Sequence, residues 1–531
     1  MKRRRSGIPR WLAFSLLALA MGALSCDGTV AVWTLPGLVL CALAAVLPPL
    51  FARERIQRLA GAAACLGAWA LLLVSFLCGG VAQTVLGEGL LLLAAAAFGL
   101  WWRRKLTWRR AAALLLLAAA VLRLAYVLCT PYDMRQHDGG GHIEYVAYLV
   151  EHNFRLPALD FDPREGWQFY HPPLNHLLLA VWVKLRMLLG ATFAQSLESA
   201  QALSLFWSCA ALYCCWRMFQ ALKIRGAGLF AACALVGFCP VLVINAAAVN
   251  NDGLLFLWEM ALLNDVARWW RAPTAGRCAR IGLFLGLAMA TKLSGALLAF
   301  PLAALFLAAL YRHRRRMGAM WRQYALFLLI CAPLGLAYPV YNLLRWGMPL
   351  NYVLPLAEDA AQLIRKRTAL ERLFVVTKEQ FLRMFIERDT VGLQDHNVFL
   401  ALLKTAAFDE YMVSGAVGVA VAVYASQIAA AVLSAACAVR AAVHCARRRY
   451  VGVVNAFLAL TAAVLLLSYV KFCFEYPFVC TEHIRYVLPL IPLFAALAGK
   501  FAPRTGAAVG CAVALSALLM FALLGWGIQI S

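Results

Sequence analysis

Acidic, basic and glycine residues are concentrated in one short polar segment, Tyr132–Tyr145. Inside this segment, a stretch of ten residues contains four side chains that can exchange a proton: Asp133, His137, Asp138 and His142. Such a carboxylate can act as general base on an acceptor hydroxyl or amine, or bind a metal ion together with histidines. The alternative is a solvated loop whose acids only cap the following helix. We favour the chemical interpretation, because bland loops rarely combine so many His, Asp, Gly and Tyr residues.

Two further polar segments stand at the starts of apolar runs. Tyr170 and His171 precede a Pro pair, which also suits the first turn of a helix and is weak evidence by itself. Asn250, Asn251 and Asp252 lie between two apolar runs, where a helix N-cap explains only one of the three. These residues add hydrogen-bonding groups next to the membrane.

Two cationic side chains complete the set of candidates. Lys292 lies inside an apolar run, and a charge within a membrane is costly enough to indicate a function. Arg485 begins a late apolar run, with His483 and Tyr486 beside it. A guanidinium suits forked recognition of phosphate, although an arginine that snorkels to the interface would look the same.

The composition places these residues in a membrane protein. Of 531 residues, 64% are hydrophobic and 14% are charged, with a mean hydropathy of +0.77. Several apolar runs reach the length of about 20 residues that crosses a bilayer. The net charge of +24 resides in short clusters between these runs, which is the positive-inside pattern and not a nucleic-acid groove. Membrane lipids are therefore expected partners, and nucleic acid is not.

The sequence predicts an all-α, polytopic integral membrane protein with about 13–15 transmembrane helices. The candidate spans are 11–26, 30–51, 59–78, 82–102, 110–129, 173–190, 200–222, 227–249, 253–270, 281–311, 323–345, 413–439, 450–471, 485–500 and 505–528. One of the segments 173–190, 200–222 and 227–249 is expected not to cross fully, with 173–190 favoured among the three, and 281–311 is expected to break near Lys292. The basic start followed by an apolar run indicates an uncleaved first anchor with a cytoplasmic N-terminus.

Four regions follow from this division of the chain. Residues 1–108 are extra N-terminal helices, and 109–345 are the membrane module with a first external loop at 130–172. Residues 346–412 form a second external loop, and 413–531 form the C-terminal helices. We expect juxtamembrane helices in both loops. Cys473 and Cys480 share a short external loop, where a disulfide and two separate thiols are both open.

The polar segments, in this order, resemble the glycosyltransferase C superfamily, and most closely its family 39, which includes the protein O-mannosyltransferases and lipid A aminoarabinose transferase-like enzymes. The resemblance covers about residues 110–500 and rests on five motifs: Arg135-Gln-His-Asp138, Gln168-Phe-Tyr-His-Pro-Pro-Leu174, Asn251-Asp252, Thr291-Lys-Leu-Ser-Gly295 and Arg485-Tyr-Val-Leu-Pro-Leu490. Many relatives have Asp-Glu at the catalytic position, whereas this chain has Asp138-Gly139.

The resemblance implies a sugar donor of the hexosyl or mannosyl type on a polyprenyl phosphate, transferred with inversion at the outer face. It implies that Asp138 is the general base, with Asp133 as a near rival. The residues expected to bind substrate are Arg135, His137, His142, Tyr170, His171, Asn251, Asp252, Lys292, His483, Arg485 and Tyr486. A divalent metal ion is left open, with Asp138, His142, His171 and Asp252 as candidate ligands, and no other cofactor is implied.

The acceptor stays open among protein, lipid and glycan, and we expect the chain in the plasma membrane of a bacterium, acting on the cell envelope. A transporter or flippase is the main alternative, because it too would have many spans, a charged residue inside them and basic loops. We prefer the transferase, because the polar groups gather at one face and the two halves of the chain show no clear inverted repeat.

Overall fold

The computed structural model describes residues 81–355, 361–364, 367–388, 394–447, 452–524 and 528–530. The predicted spans 11–26, 30–51 and 59–78, the predicted anchor and the N-terminus lie outside the described residues. The regular structure is almost entirely helical. The described strands, Val413–Ser414 and Gln529–Ile530, pair in antiparallel fashion and are two residues long each. The predicted all-α class is confirmed.

The helices follow the predicted apolar runs closely. In chain order they are Val81–Trp102, Trp108–Leu128, Gly139–Glu151, Leu174–Leu188, Phe193–Ala221, Ala227–Gly237, Pro240–Ile244, Asp252–Trp269, Ala275–Thr291, Ala299–Arg312, Met317–Trp346, Ala369–Phe374, Lys378–Leu382, Val398–Phe408, Val417–Arg447, Val453–Glu475, Leu490–Phe501 and Pro503–Ala522. Short 3-10 turns lie at Pro157–Leu159, Pro163–Glu165, Leu293–Leu298, Arg314–Arg316, Val479–Thr481 and Ile484–Val487.

Eight helices among the described residues are long and apolar enough to cross a membrane. They cover Val85–Trp102, Trp108–Leu128, Phe193–Ala221, Leu293–Arg312, Arg314–Trp346, Val417–His444, Val453–Glu475 and Pro503–Ala522. A ninth crossing is formed if Val479–Val487 and Leu490–Phe501, which meet at 56°, count as one broken span. The chain is thus a polytopic membrane protein, and the total of 13–15 spans stays a prediction, because it includes residues before 81.

Two predicted spans are shorter or more interrupted than their hydropathy suggests. Leu174–Leu188 has 15 residues and is not among the crossing helices, as the sequence predicts for 173–190. The run 227–249 divides into Ala227–Gly237 and Pro240–Ile244. Proline has no N–H to continue the helix, and here it stands at the start of the second piece.

A buried arginine stabilises this division of the helix. Arg123, in the span Trp108–Leu128, is fully buried. Its Nη1 donates to the carbonyl of Gly237 at 2.6 Å and to that of Ala119 at 3.0 Å, and its Nε donates to Ser208 Oγ at 2.9 Å. A helix that ends inside a membrane leaves carbonyl groups that only protein can satisfy. Arg123 supplies that partner for Gly237.

The predicted break near Lys292 is confirmed. The helix Ala275–Thr291 ends there, Lys292 adopts an extended conformation with φ −155° and ψ 130°, and a 3-10 turn begins at Leu293. The sequence indicated this because the apolar run is too long for one crossing and contains a charge. The break removes Lys292 from the helix and leaves it beside another segment of the chain.

Small residues let the helices approach one another. A Cβ atom added to Gly228 would lie 2.0 Å from the carbonyl oxygen of Gly499, and one added to Gly499 would lie 2.5 Å from that of Gly228. The helices Ala227–Gly237 and Leu490–Phe501 therefore touch backbone to backbone. Small residues are common at helix contacts in membranes, where packing replaces the hydrophobic effect as the source of association.

The basic segments and the polar loops lie at opposite ends of the bundle. The guanidinium of Arg312 lies 4.9 Å from the ring centroid of Trp270. Trp270 follows the helix Asp252–Trp269, whose 18 residues extend about 27 Å at 1.5 Å per residue. Asp252, at the other end of this helix, is therefore far from Arg312 and close to the long polar loops.

The two long polar loops contact each other at that end. His137 in the first loop lies 2.5 Å from Asp409 in the second, and Arg164 donates to the carbonyl of Trp346 at 2.9 Å. Both loops contain short helices, as predicted: Gly139–Glu151 in the first, and Ala369–Phe374, Lys378–Leu382 and Val398–Phe408 in the second. The four-part division of the chain stays a prediction.

Candidate functional site

The acid of the first loop meets the arginine of the late segment. Arg485 Nη2 donates to Asp138 Oδ2 at 3.2 Å, although 347 residues separate them. Asp138 stands at the N-cap of Gly139–Glu151, but its side chain makes no capping hydrogen bond. Its left-handed backbone, with φ 54° and ψ 28°, belongs to a region that residues other than glycine seldom occupy. The alternative that this acid only caps a helix therefore does not describe the structure.

Three glycines allow this loop to pack closely. A Cβ atom on Gly139 would lie 2.6 Å from the Cβ of Gln136, and one on Gly141 would lie 2.6 Å from Gln168 and 3.0 Å from Trp167. Larger residues at these positions would push the start of the helix away from its neighbours. The glycines therefore contribute to the position of Asp138.

Gln136 fastens the first loop to the segment before Asp252. Its Nε2 donates to the carbonyl of Ala247 at 3.3 Å, and its Oε1 accepts the N–H of Val249 at 2.8 Å. This glutamine is not among the site residues that the sequence predicts. Its place between Arg135 and His137 in the most polar motif was the available signal.

A second ion pair lies next to the first. Lys292 Nζ donates to Asp252 Oδ1 at 2.6 Å. Nζ also lies 5.5 Å from the ring centroid of Tyr486, and the guanidinium of Arg485 lies 4.9 Å from the same centroid. The hydroxyl of Tyr486 accepts from Arg485 Nη2 at 2.9 Å. Two cations thus lie near one aromatic ring.

Both asparagines before Asp252 are buried, and the Nδ2 atom of each has no hydrogen-bond partner among the described residues. Asn250 Oδ1 accepts the N–H of Asp252 at 3.1 Å and so supports the turn. A buried amide without a partner is costly, so Asn251 is a candidate to bind a group that is added to the site.

Three histidines lie together beside the ion pairs, with His142 and His176 buried and His171 partly exposed. His142 Nδ1 and His176 Nε2 are 2.9 Å apart, and the rings of His142 and His171 stack with centroids 6.2 Å apart. Burial lowers the pKa of His142 to about 4, and burial also holds the pKa of His171 well below its usual range. These rings are neutral at pH 7 and can exchange hydrogen bonds without adding charge.

Tyr170 lies against these histidines and the edge of the second loop. Its ring is 4.2 Å from that of His171 and 5.3 Å from that of Tyr352. Burial and the nearby Asp138 raise the pKa of Tyr170 above its usual value, so its hydroxyl stays protonated and can donate a hydrogen bond.

Two predicted residues lie elsewhere. Arg135, with a left-handed φ of 54°, turns toward the C-terminal strand, where its Nε donates to the carbonyl of Ile530 at 3.0 Å and its Nη1 to Thr130 at 3.2 Å. These contacts of Arg135 are with the protein itself, and its predicted role in substrate binding stays a prediction. Asp133 is exposed, whereas Asp138 is at the ion pair.

A cluster that the sequence analysis missed in part joins both loops to the late segment. We call His137, Asp409, Glu410 and His483 the acid–histidine cluster. Asp409 Oδ1 lies 2.5 Å from His137 Nε2 and 2.8 Å from His483 Nε2, and Glu410 Oε1 lies 3.6 Å from His137 Nδ1. An acidic pair directly after the apolar run Val398–Phe408 was the available signal for Asp409 and Glu410.

The pKa values of three residues in the acid–histidine cluster differ strongly from their usual values. Burial lowers the pKa of His137, but the charge of Asp409 and that of Glu410 oppose it and raise the pKa to about 10. The pKa values of Asp409 and Glu410 lie well below their usual range, because the attraction of His137 outweighs their burial. At pH 7 the cluster contains two carboxylates and an imidazolium.

One group within the described part of the chain could hold a metal ion. One ligand atom each from His137, Glu410 and His483 lies within 4.8 Å of the others, and two histidines with a glutamate suit zinc. None of the predicted candidate ligands Asp138, His142, His171 and Asp252 belongs to this group. Their acids instead pair with Arg485 and Lys292.

The two late cysteines are separate thiols. Cys473 and Cys480 are both free, and Cys473 Sγ lies 3.6 Å from the carbonyl oxygen of Thr481. Of the two alternatives left open by the sequence, the structure has the unpaired one.

Comparisons with known proteins add no identity to this geometry. No protein-family model and no curated protein matches the chain. The resemblance to family 39 of the glycosyltransferases therefore stays a prediction that rests on the quoted motifs.

Proposed function

We propose that this chain is a membrane glycosyltransferase that moves a sugar from a polyprenyl-phosphate donor to a hydroxyl or amine acceptor. The observation that carries the proposal is the contact of Asp138 with Arg485 at 3.2 Å. It brings a carboxylate base and a phosphate-binding cation together from distant parts of the chain. The pair is open to a ligand on the carboxylate side, where Asp138 is 38% exposed, while Arg485 is 10% exposed.

The transfer needs few groups. The acceptor oxygen or nitrogen attacks the anomeric carbon, the bond from that carbon to the phosphate oxygen breaks, and the acceptor proton passes to Asp138. The lipid phosphate leaves with its electron pair and its negative charge. Attack opposite to the leaving group inverts the anomeric carbon. Positioning and charge stabilisation are the main contributions of a protein to such a step.

An exchange of the anion bound to Arg485 prepares Asp138 and Arg485 for this step. Without donor, Asp138 is the partner of Arg485. The phosphate of the donor takes the place of that carboxylate on the guanidinium, and Asp138 is freed to accept a proton. Arg485 Nε is buried without a hydrogen-bond partner among the described residues, so the guanidinium has a second donor for the phosphate. Lys292 adds a further positive charge nearby.

Neutral groups hold the sugar. His142 and His171 are uncharged at pH 7, and Tyr170 keeps its proton. Sugar hydroxyls both donate and accept hydrogen bonds, which these three side chains can match. The buried amide of Asn251 is a further donor.

The site is assigned to the outer face of a bacterial plasma membrane, with the N-terminus in the cytoplasm. Support comes from the position of the basic segments 268–280 and 312–322, which lie at the other end of the bundle from Asp252. Basic loops stay in the cytoplasm. A mannosyl or other hexosyl donor follows from the resemblance to family 39.

A transporter or flippase is the second candidate, and the breaks at Phe238 and Lys292 favour it, because transporters bind their substrates at broken helices. The position of the charged pairs weighs against it. Both pairs gather at one end of the helix Asp252–Trp269 and not along its middle.

The test is sugar transfer by the purified chain in liposomes. Each liposome preparation receives a radiolabelled hexosyl polyprenyl phosphate and a cell-envelope extract as acceptor. We expect label to leave the lipid and enter an acid-stable product of inverted configuration. Label that crosses the bilayer without leaving its lipid would support the flippase instead, and label that does neither would contradict both proposals.

A further inference from the structure

Asp409 connects the two halves of the candidate site through one oxygen atom. Its Oδ1 contacts Nε2 of both His137 and His483, at 2.5 Å and 2.8 Å, and its side chain is 3% exposed. His137 directly precedes Asp138, and His483 lies two residues before Arg485. Asp409 therefore contacts a near neighbour of each member of the pair to which we assign the chemistry.

Hydrogen bonds fix where the proton of His483 lies. His483 Nδ1 accepts the backbone N–H of Arg485 at 2.9 Å, so the proton of this ring is on Nε2, which donates to Asp409. His137 has no such hydrogen bond to assign its protons, but each of its nitrogens lies at ion-pair distance from a carboxylate, Nε2 from Asp409 and Nδ1 from Glu410. These two negative charges favour the imidazolium form of this ring.

The charged and titratable neighbours of His137 include Asp252, at the start of the helix Asp252–Trp269, and residues of two further segments. Asp409, Glu410 and Tyr411 belong to the end of the second loop, and His483 and Arg485 belong to the late segment. Glu410 is in addition paired with Arg388 at 2.5 Å. Asp409 is the group in this set that contacts both histidines at hydrogen-bond distance.

The backbone of Asp409 has a positive φ, as that of Asp138 does, although its ψ is different. It has φ 61° and ψ −136° at the end of the helix Val398–Phe408, a conformation that residues other than glycine rarely adopt. Such conformations persist where the surroundings hold them, and they are common at functional sites. The two histidine contacts supply that hold.

We propose that Asp409 is a positioning residue that sets the separation of Asp138 and Arg485. Through His137 it fixes the turn that carries Asp138, and through His483 it fixes the segment that carries Arg485. The inference rests on the proposed transferase function for its kinetic consequence. Its geometric content, that both imidazoles are held by one carboxylate, stands without a sugar assay.

The distances favour direct contacts over a shared metal ion. Zinc binds imidazole nitrogen at about 2.0–2.1 Å, which places two ligands of a tetrahedral site about 3.3 Å apart. The contacts of Asp409 Oδ1 with His137 and His483 are shorter than that separation. A metal ion that bound Asp409 together with both histidines would require these three groups to move apart.

The first experiment is nitrogen NMR of the full-length chain labelled in its nine histidines, wild type against Asp409→Asn. Asparagine keeps the size and shape of the side chain and is, like aspartate, enriched among residues with positive φ, so the change removes the charge and replaces one carboxylate oxygen with an NH2 group. In the wild type at pH 8, we expect the signal of one doubly protonated ring. This signal should be absent in His137→Gln, and in Asp409→Asn it should be replaced by that of a neutral ring. The His483 ring signal should shift as well.

The second experiment measures sugar transfer by the same proteins. Displacing a reacting group by about 1 Å can cost about 100-fold in rate, so we expect kcat to fall by about that factor in Asp409→Asn while the donor KM changes less than about threefold. Asp162→Asn, which removes an acid paired with Arg164 on the first loop, is the control and should keep wild-type kcat.

Three results would overturn the proposal. They are ring signals unchanged in Asp409→Asn, wild-type kcat in that variant, and one equivalent of metal in the purified chain that is lost in His137→Gln. If the ring signals respond as expected but the wild type transfers no sugar, the transferase proposal fails while the carboxylate contact stands.

Discussion

Two charged pairs near the polar loops differ in how they are closed. Lys404 and Asp395 are 0% and 2% exposed, and Lys404 Nζ donates to both carboxylate oxygens, at 2.8 Å and 2.7 Å, and to the carbonyl of Phe385. Asp138 and Arg485 share one contact at 3.2 Å, and Asp138 is 38% exposed. A cation and a carboxylate thus form a pair with all its hydrogen bonds made in one region, and a pair with unused hydrogen-bonding groups in the other.

The difference separates a structural role from a chemical one. A buried charge that has all its partners stabilises the fold only while both members are present. A pair with one long contact and an unused donor can exchange its partner for a ligand at little cost. We therefore assign Lys404–Asp395 to the stability of the second loop and Asp138–Arg485 to the binding of a phosphate.

Removal of the proposed base tests the chemical role that we assign to the pair Asp138–Arg485. Asp138→Asn is expected to reduce sugar transfer by about 100- to 10,000-fold, because a positioned general base contributes that much, while the melting temperature stays near that of the wild type. Asp133→Asn should lose far less, since Asp133 is exposed. Initial rates and thermal unfolding of the three proteins measure this, and equal losses in both variants would contradict the choice of Asp138.

Removal of one member of the closed pair, Lys404–Asp395, tests the structural role that we assign to it. Lys404→Met leaves Asp395 buried without its cation, and we expect a loss of about 3–5 kcal/mol in the free energy of unfolding. The double variant Lys404→Met/Asp395→Leu should recover most of that loss, since no charge stays buried. Denaturation in detergent measures both. A single variant as stable as the wild type would show that the pair is not a structural element.

The arginine of the open pair sharpens the assignment to phosphate. Arg485→Ala should raise the donor KM by about 10- to 100-fold, because a hydrogen bond to a charged group contributes about 1.5–3 kcal/mol. The donor KM of Arg485→Lys should fall between those of the wild type and Arg485→Ala, because lysine keeps the positive charge but cannot donate two parallel hydrogen bonds. Kinetics at varied donor concentration measure this. An unchanged donor KM with a reduced acceptor KM or kcat would place the phosphate elsewhere.

The pH dependence of stability is the smallest expected effect. Burial lowers the pKa of His142 to about 4, whereas an unfolded histidine titrates near about 6.5. Below about pH 6.5 the unfolded chain binds the extra proton, so the contribution of His142 to stability is complete above that pH and decreases as the pH falls toward 4. His142→Asn should flatten this part of the melting curve against pH. His152→Asn, on the exposed end of the same helix, should leave it unchanged.

The sequence was sufficient for the elements whose signals are local. Long apolar runs predicted the helices, and the charge of Lys292 inside one of them predicted the break. The density of polar residues around Asp138 and the position of Arg485 before an apolar run predicted two groups that the structure brings to 3.2 Å. In each case neighbouring residues carried the information.

The contacts that the sequence did not predict depend on the fold of the whole chain. Asp409 and Glu410 are an acidic pair after a helix, and only the fold brings them to His137. Arg135 stands in the most polar motif, yet its left-handed backbone directs it to Ile530. The division of 227–249 depends on Pro240 together with Arg123, a residue more than 100 positions earlier. Spacing along the sequence contains none of these distances.

The direct measurement is a structure determined by electron cryomicroscopy with a short-chain polyprenyl phosphate in the bilayer. We expect density for the phosphate within hydrogen-bond distance of Arg485, with Lys292 beside it and the Asp138 carboxylate released from the guanidinium. A phosphate bound away from both cations, with the Asp138–Arg485 contact intact, would contradict the claim that this pair receives the donor.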